Sequence, residues 1–95
     1  MVVAALCVSL RMDGCENLKD KRRILRSLFE KLRRSFGLAV AEVGDQDLWN
    51  VAEIGVSCVS NNVAHAESQL QHALDMIDSR TDVSIEGVEK LVDRL

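Results

Sequence analysis

Hydrophobic positions change period several times along this chain, and each change marks an element. In residues 2–10, Val2, Ala4, Leu6, Val8 and Leu10 fall on one side of a two-residue repeat, and Val3, Ala5, Cys7 and Ser9 fall on the other. That pattern predicts a strand with one large apolar face and one face of small residues. Over residues 18–36 the spacing becomes three and four, with Leu18, Leu25, Leu28, Phe29, Leu32 and Phe36 on one stripe of an amphipathic helix. Asn17 stands before it as a cap, and Gly37 follows where a left-handed residue ends a helix. Residues 38–43 predict a short strand, 44–50 a loop and 51–60 a longer strand with Ala52, Ile54, Val56 and Cys58 on one face. Ser60, Asn61 and Asn62 offer caps for a second helix whose stripe is Val63, Ala66, Leu70, Ala73, Leu74 and Ile77. The end of the chain supports two readings. Val83 and Ile85 alternate as in a strand over 81–86, while Val88, Leu91, Val92 and Leu95 beyond Gly87 suit either a short helix or a continued strand.

The order βαββαβ has an economical solution: an α+β, ferredoxin-like sandwich, with a four-stranded antiparallel sheet and both helices on one face. At 95 residues the chain is expected to form a single domain, residues 1–95, around one core. The opposite sheet face would then show Ala5, Cys7, Ser9, Glu53, Gly55 and Ser57. Sheets that read single-stranded RNA stack bases on aromatic side chains, and neither central strand has one. No G-x-x-G clamp occurs either, so base reading on the sheet is not expected.

Composition narrows the setting. With 47% hydrophobic and 28% charged residues the chain reads as globular. No run approaches the ~18 apolar residues of a membrane span, and the first ten residues alternate without a basic leader, which fits a signal peptide poorly. Cys7, Cys15 and Cys58 form no C-x-x-C pair, as expected of reduced thiols. A cytoplasmic protein with no membrane partner is the expectation.

Charge changes the picture more. Residues 11–34 hold nine of the twelve basic side chains and four of the fifteen acids, so that segment carries +5 and residues 35–95 carry −8. On a wheel of about 100° per residue, Lys19, Arg22, Arg23, Arg26, Arg33 and Arg34 occupy roughly 40° to 160°, flanking an apolar stripe centred near 320°. Only Glu30 interrupts them on that face, so pairing within the helix cannot neutralise them. A solvated face and a phosphate-binding face fit this equally. Lys21 projects among the apolar residues, where it either snorkels at the sheet's end or enters a pocket.

The loop Gly44-Asp-Gln-Asp-Leu-Trp49 is the second candidate. Gln46, Asp47 and Trp49 could anchor a partner, since a large amphipathic ring gains much from burial at an interface. In a domain this poor in aromatics, the favoured role for Leu48 and Trp49 is packing inward over the end of the core, with Asp45 and Asp47 bonding turn amides.

Enzyme chemistry finds little footing. There is no phosphate-binding loop, dinucleotide fingerprint or nucleophile motif. The carboxylates Glu42, Asp45, Asp47 and Glu53 lack a neighbouring histidine or serine in sequence. His65 and His72 lie seven residues apart, about 10.5 Å along a helix, too far for one tetrahedral metal. No catalytic residue, metal or cofactor is expected.

Three segments carry a resemblance: Asn17-Leu-Lys-Asp-Lys-Arg-Arg-Ile-Leu-Arg-Ser-Leu28, Val40-Ala-Glu-Val-Gly-Asp-Gln-Asp-Leu-Trp49, and Gly55-Val-Ser-Cys-Val-Ser-Asn61 followed by His65. Together they resemble the YlxP-like family of small bacterial proteins of unknown function, over some four fifths of the chain. The chain departs from that pattern at Ile85-Glu-Gly87, where glycine and a polar tail interrupt what is a continuous last strand in relatives. The resemblance implies a ferredoxin-like fold and genes near those for translation-initiation and ribosome-maturation factors. It brings no catalytic residues.

The leading expectation is a module docking on structured RNA or the ribosome through Lys19, Arg22, Arg23, Arg26, Arg33 and Arg34. The alternative is a protein-interaction or homodimerisation module using the small-residue sheet face and the Trp49 loop.

Overall fold

A computed structural model describes all residues, 1–95. The elements run β1 (Val2–Arg11), α1 (Leu18–Phe36), β2 (Ala39–Gly44), β3 (Val51–Ser60), α2 (Val63–Ser79) and β4 (Ser84–Arg94). The sheet order is β2-β3-β1-β4, with every neighbouring pair antiparallel. Helix α2 packs on β3, β1 and β4, and α1 lies beside it over β2. This is the ferredoxin-like α+β fold expected from the periodicity. One core of 20 buried residues joins the large face of β1 to Leu25, Leu28 and Leu32 of α1 and to Ala66, Leu70, Ala73 and Ile77 of α2.

Local chemistry sets the ends of α1. The Asn17 side chain accepts a hydrogen bond from the Asp20 amide at 2.9 Å, and the Asp20 carboxylate accepts in turn from the Glu16 amide at 3.2 Å. Gly37, at φ 61°, closes the helix by donating its N–H to the Arg33 carbonyl at 3.0 Å, a conformation an L side chain would resist. Asn62 caps α2 by accepting from the His65 amide.

The C-terminal segment resolves as one eleven-residue strand. The alternative of a helix after Gly87 is therefore corrected, and so is a strand confined to residues 81–86. The cause is a register shift against β1: Ser9 faces Gly87, but Leu10 faces Ile85, so Glu86 is an extra residue. Such a bulge moves the alternation by one position. Ile85 and Val88 thereby share a side, and their three-residue spacing imitates a helix. A second irregularity lies between Glu42 and Gly44 in the pairing of β2 with β3. There Gly44 passes so close to Glu53 that an added Cβ would stand 3.1 Å from the Glu53 Cβ.

Candidate nucleic-acid interface

The amphipathic pattern that buries Leu25, Leu28 and Leu32 turns the basic stripe of α1 outward. Lys19, Arg22, Arg23, Arg26, Arg33 and Arg34 are all exposed. Within the chain, Arg23 approaches Asp20 at 3.6 Å, and Arg33 donates to the Val40 carbonyl at 3.0 Å with its guanidinium 5.7 Å from the Phe29 ring centre. Lys19, Arg22, Arg26 and Arg34 take part in no ion pair, whereas Arg11, Lys21, Arg80 and Lys90 are each paired with carboxylates. Four of the free-facing cations, Lys19, Arg22, Arg23 and Arg26, line a single depression of about 230 Å³. No carboxylate of residues 35–95 forms an ion pair with this face, although Glu42 lines a cleft beside Arg22, Arg26 and Arg33.

Lys21 has a different place. It is 1% exposed, and its Nζ donates to the carbonyl oxygens of Asp45 (2.7 Å) and Leu48 while lying 2.7 Å from Glu42 Oε2. Two ammonium protons are thus committed to loop carbonyls and the charge is paired with Glu42, whose buried Oε2 has no hydrogen-bond partner. The ammonium group does not reach solvent, so the expectation of snorkelling is corrected. Lys21 instead ties α1 to the loop between β2 and β3. The same Asp45 carbonyl accepts from the Leu48 amide at 3.0 Å, closing a tight turn in which Asp45 sits at φ 58°.

The apolar residues of that turn face out. Leu48 is 50% and Trp49 45% exposed, outside the core, so the expected inward packing does not occur. Gln46 and Asp47 are also exposed, and the Gln46 amide reaches back to the Glu42 carbonyl at 3.5 Å. No residue of this loop lines the basic depression, whose lining is Lys19, Arg22, Arg23 and Arg26.

Residues 3–90 match the model of a family described as protein of unknown function, DUF503. The chain belongs to that family. Uncharacterised protein YlxP of Bacillus subtilis (strain 168) is 31% identical over 83 residues, covering 87% of this chain and 89% of the relative. Neither description assigns a reaction or a ligand, and nothing in them indicates catalysis.

This DUF503 chain also carries a polar trio that the linear reading did not assemble. On the open sheet face, Glu53 of β3 accepts hydrogen bonds from the Ser9 hydroxyl and, at 3.0 Å, from the Cys7 thiol, both on β1. The signal was present in the two-residue spacing of Cys7 and Ser9, but only the register of Ser9 with Glu53 joins it to the carboxylate. Hydrogen bonding to Glu53, then burial, pushes the Cys7 thiol up to about 11, and the same bonds hold Glu53 below the usual carboxylate range. Two consequences follow for pH. The Cys7 contribution to stability is complete below an ordinary thiol pKa and is lost as pH rises through about 11, whereas the Glu53 contribution is present above an ordinary Glu pKa and is lost as acid reaches its depressed one.

Cys7 is therefore an inert thiol at neutral pH, because the thiolate is the nucleophile. Glu53→Gln should accelerate its alkylation at pH 8, by less than the roughly hundredfold of a full two-unit change, because burial and Glu89 still raise the thiol. Iodoacetamide labelling followed by mass spectrometry reads this at Cys7, with buried Cys15 as the internal reference. An unchanged Cys7 rate would show that the contact with Glu53 does not keep the thiol protonated.

All three cysteines are free thiols, and no helix is long and apolar enough to cross a membrane.

Proposed function

We propose that this protein is a non-catalytic, cytoplasmic module that docks on structured RNA, the ribosome included, through the exposed basic face of α1. The observation that carries the reading is the freedom of its cations: Lys19, Arg22, Arg26 and Arg34 have no carboxylate partner, although the chain contains fifteen acids. Unpaired guanidinium groups spaced along one helix suit a row of phosphates, which they position without reading base sequence. The sheet's other face is a poorer surface for a polyanion. The charged residues opposite Cys7, Ser9 and Val3 there are Glu89, Glu53 and Asp93, which repel phosphate. Binding to duplex RNA or isolated ribosomal subunits, followed as salt rises, tests the proposal: affinity should fall linearly on a log-log plot, and a flat response removes it.

A second reading, homodimerisation or protein interaction, is favoured by one observation. Val43 (58%), Val59 (65%) and Leu91 (61%) are exposed on the open sheet face, and Trp49 is exposed in the loop just before β3. In this reading Gln46, Asp47 and Trp49 meet the partner. Sedimentation or light scattering at micromolar concentration decides it. A dimer that the exposed substitutions Val59→Lys and Leu91→Lys dissociate favours that reading, and a monomer in both wild type and variants refutes self-association through the sheet. RNA docking through α1 should survive either variant.

A further inference from the structure

A second concavity opens next to the depression lined by Lys19, Arg22, Arg23 and Arg26, on the side of α1 that faces β2. Arg22, Leu25, Arg26, Phe29, Arg33 and Glu42 line it, and it encloses about 270 Å³. Its composition is uneven in a useful way. Arg22 and Arg26 belong to both concavities, so a phosphate chain held in the first passes the mouth of the second. Leu25 and Phe29 supply the apolar lining, and the Arg33 guanidinium lies over the Phe29 ring, 5.7 Å from its centre, with its Nη2 fixed by the Val40 carbonyl at 3.0 Å, so the ring backs the guanidinium plane offered to a ligand. A phenyl ring and a guanidinium plane are the two kinds of side-chain surface on which unstacked bases rest in RNA complexes. The inner wall is a carboxylate. Glu42 Oε2 is buried against Lys21, while the side chain keeps 23% exposure and lines the cleft. A carboxylate there repels a phosphate group but accepts from the ring N–H or amino group of a nucleobase.

The geometry points to a pocket for one unstacked nucleotide, its phosphates on Arg22 and Arg26 and its base against Phe29, Arg33 and Glu42. This inference rests on the RNA-docking reading and narrows it, from helical RNA in general to RNA with a bulged or flipped-out base. The size agrees, since about 270 Å³ lies just under the ~300 Å³ lower bound of ordinary small-ligand sites, enough for a single planar ring system. Perfectly paired RNA could use only the phosphate-binding part of the surface.

Two RNA hairpins of matched length and charge test it, one fully paired and one with a single-nucleotide bulge occupied by 2-aminopurine. Wild-type protein should bind the bulged hairpin on the order of tenfold more tightly, the scale of one base stacked on an aromatic side chain. The 2-aminopurine fluorescence should change on binding, while the same fluorophore inside the paired stem should not respond. Phe29→Leu retains apolar volume and removes the ring; it should bring the two affinities to parity and leave the paired hairpin bound as before. Equal wild-type affinities with a silent 2-aminopurine overturn the pocket while sparing phosphate docking, if both complexes still weaken with salt. A bulge preference that survives Phe29→Leu assigns the base to another surface and overturns the pocket too. Absence of binding to either hairpin refutes both proposals.

Discussion

Alanine at Arg22, Arg23 and Arg26 should cut the salt sensitivity of RNA binding by about half. If each of the six cations on the basic face of α1, Lys19, Arg22, Arg23, Arg26, Arg33 and Arg34, engages one phosphate, the log-log slope is about −4 to −5, from ~0.7 to 0.9 per phosphate. Raising salt from about 50 to about 200 mM then weakens the wild-type complex roughly 300- to 2000-fold. With three phosphates left, the same change should cost the variant only about 20- to 40-fold. Fluorescence anisotropy against a duplex of fixed length measures both slopes. The fold should tolerate the change, because all three side chains are exposed and the Arg23 contact with Asp20 is long and open to water, a class worth about 0 to 1 kcal/mol. Alanine is moreover the best helix former. Equal slopes for wild type and variant would place the RNA on some other surface.

Replacing Lys21 with methionine should be among the most damaging changes to stability in the molecule. Removing one member of a buried ion pair typically costs 3 to 5 kcal/mol, since the other charge stays behind unpaired. Here the buried Glu42 Oε2 would lose its ion-pair partner, and the Asp45 and Leu48 carbonyls would lose a charged donor. Because the Glu42 side chain keeps 23% exposure, water relieves part of the penalty, and about 3 kcal/mol is the expected loss. For a domain of this length that corresponds to a fall in Tm of roughly 12 to 24 °C. The double variant Lys21→Met with Glu42→Gln should recover part of it by removing the stranded charge. Thermal denaturation of the three proteins settles the matter: a single variant within about a degree of wild type would mean that the clamp is not formed.

How much of this was legible in the letters depends on whether a feature is local. The strand periodicity of β1, the stripe of α1, the Asn17 cap and the Gly37 stop are local, and together they fix the fold. The basic face was equally readable, since a wheel needs only spacing. What a linear reading missed depends on long-range register. The extra residue at Glu86 shifts the alternation of β4 and makes a strand resemble a helix. Lys21 lies 24 residues before Asp45, and only the crossing of α1 past β2 reveals that its ammonium group is consumed by loop carbonyls. Trp49 is left outside the core, against the expectation that a domain with few aromatics would bury its largest one. The cleft beside Phe29 was hidden for a similar reason, because Phe29 sits on the apolar stripe and becomes a lining residue only where the stripe meets the arginines.

An NMR titration of isotopically labelled protein with duplex RNA at low salt looks directly at the surface in question. Backbone amides of exposed residues between Lys19 and Arg34, and the arginine Nε–H signals of Arg22, Arg23, Arg26 and Arg33, should shift together in proportion to complex formed. Ala5, Gly55 and Leu91 on the opposite sheet face should stay in place. Shifts confined to the sheet or the Trp49 loop, with the helix arginines unmoved at saturating RNA, would contradict the account.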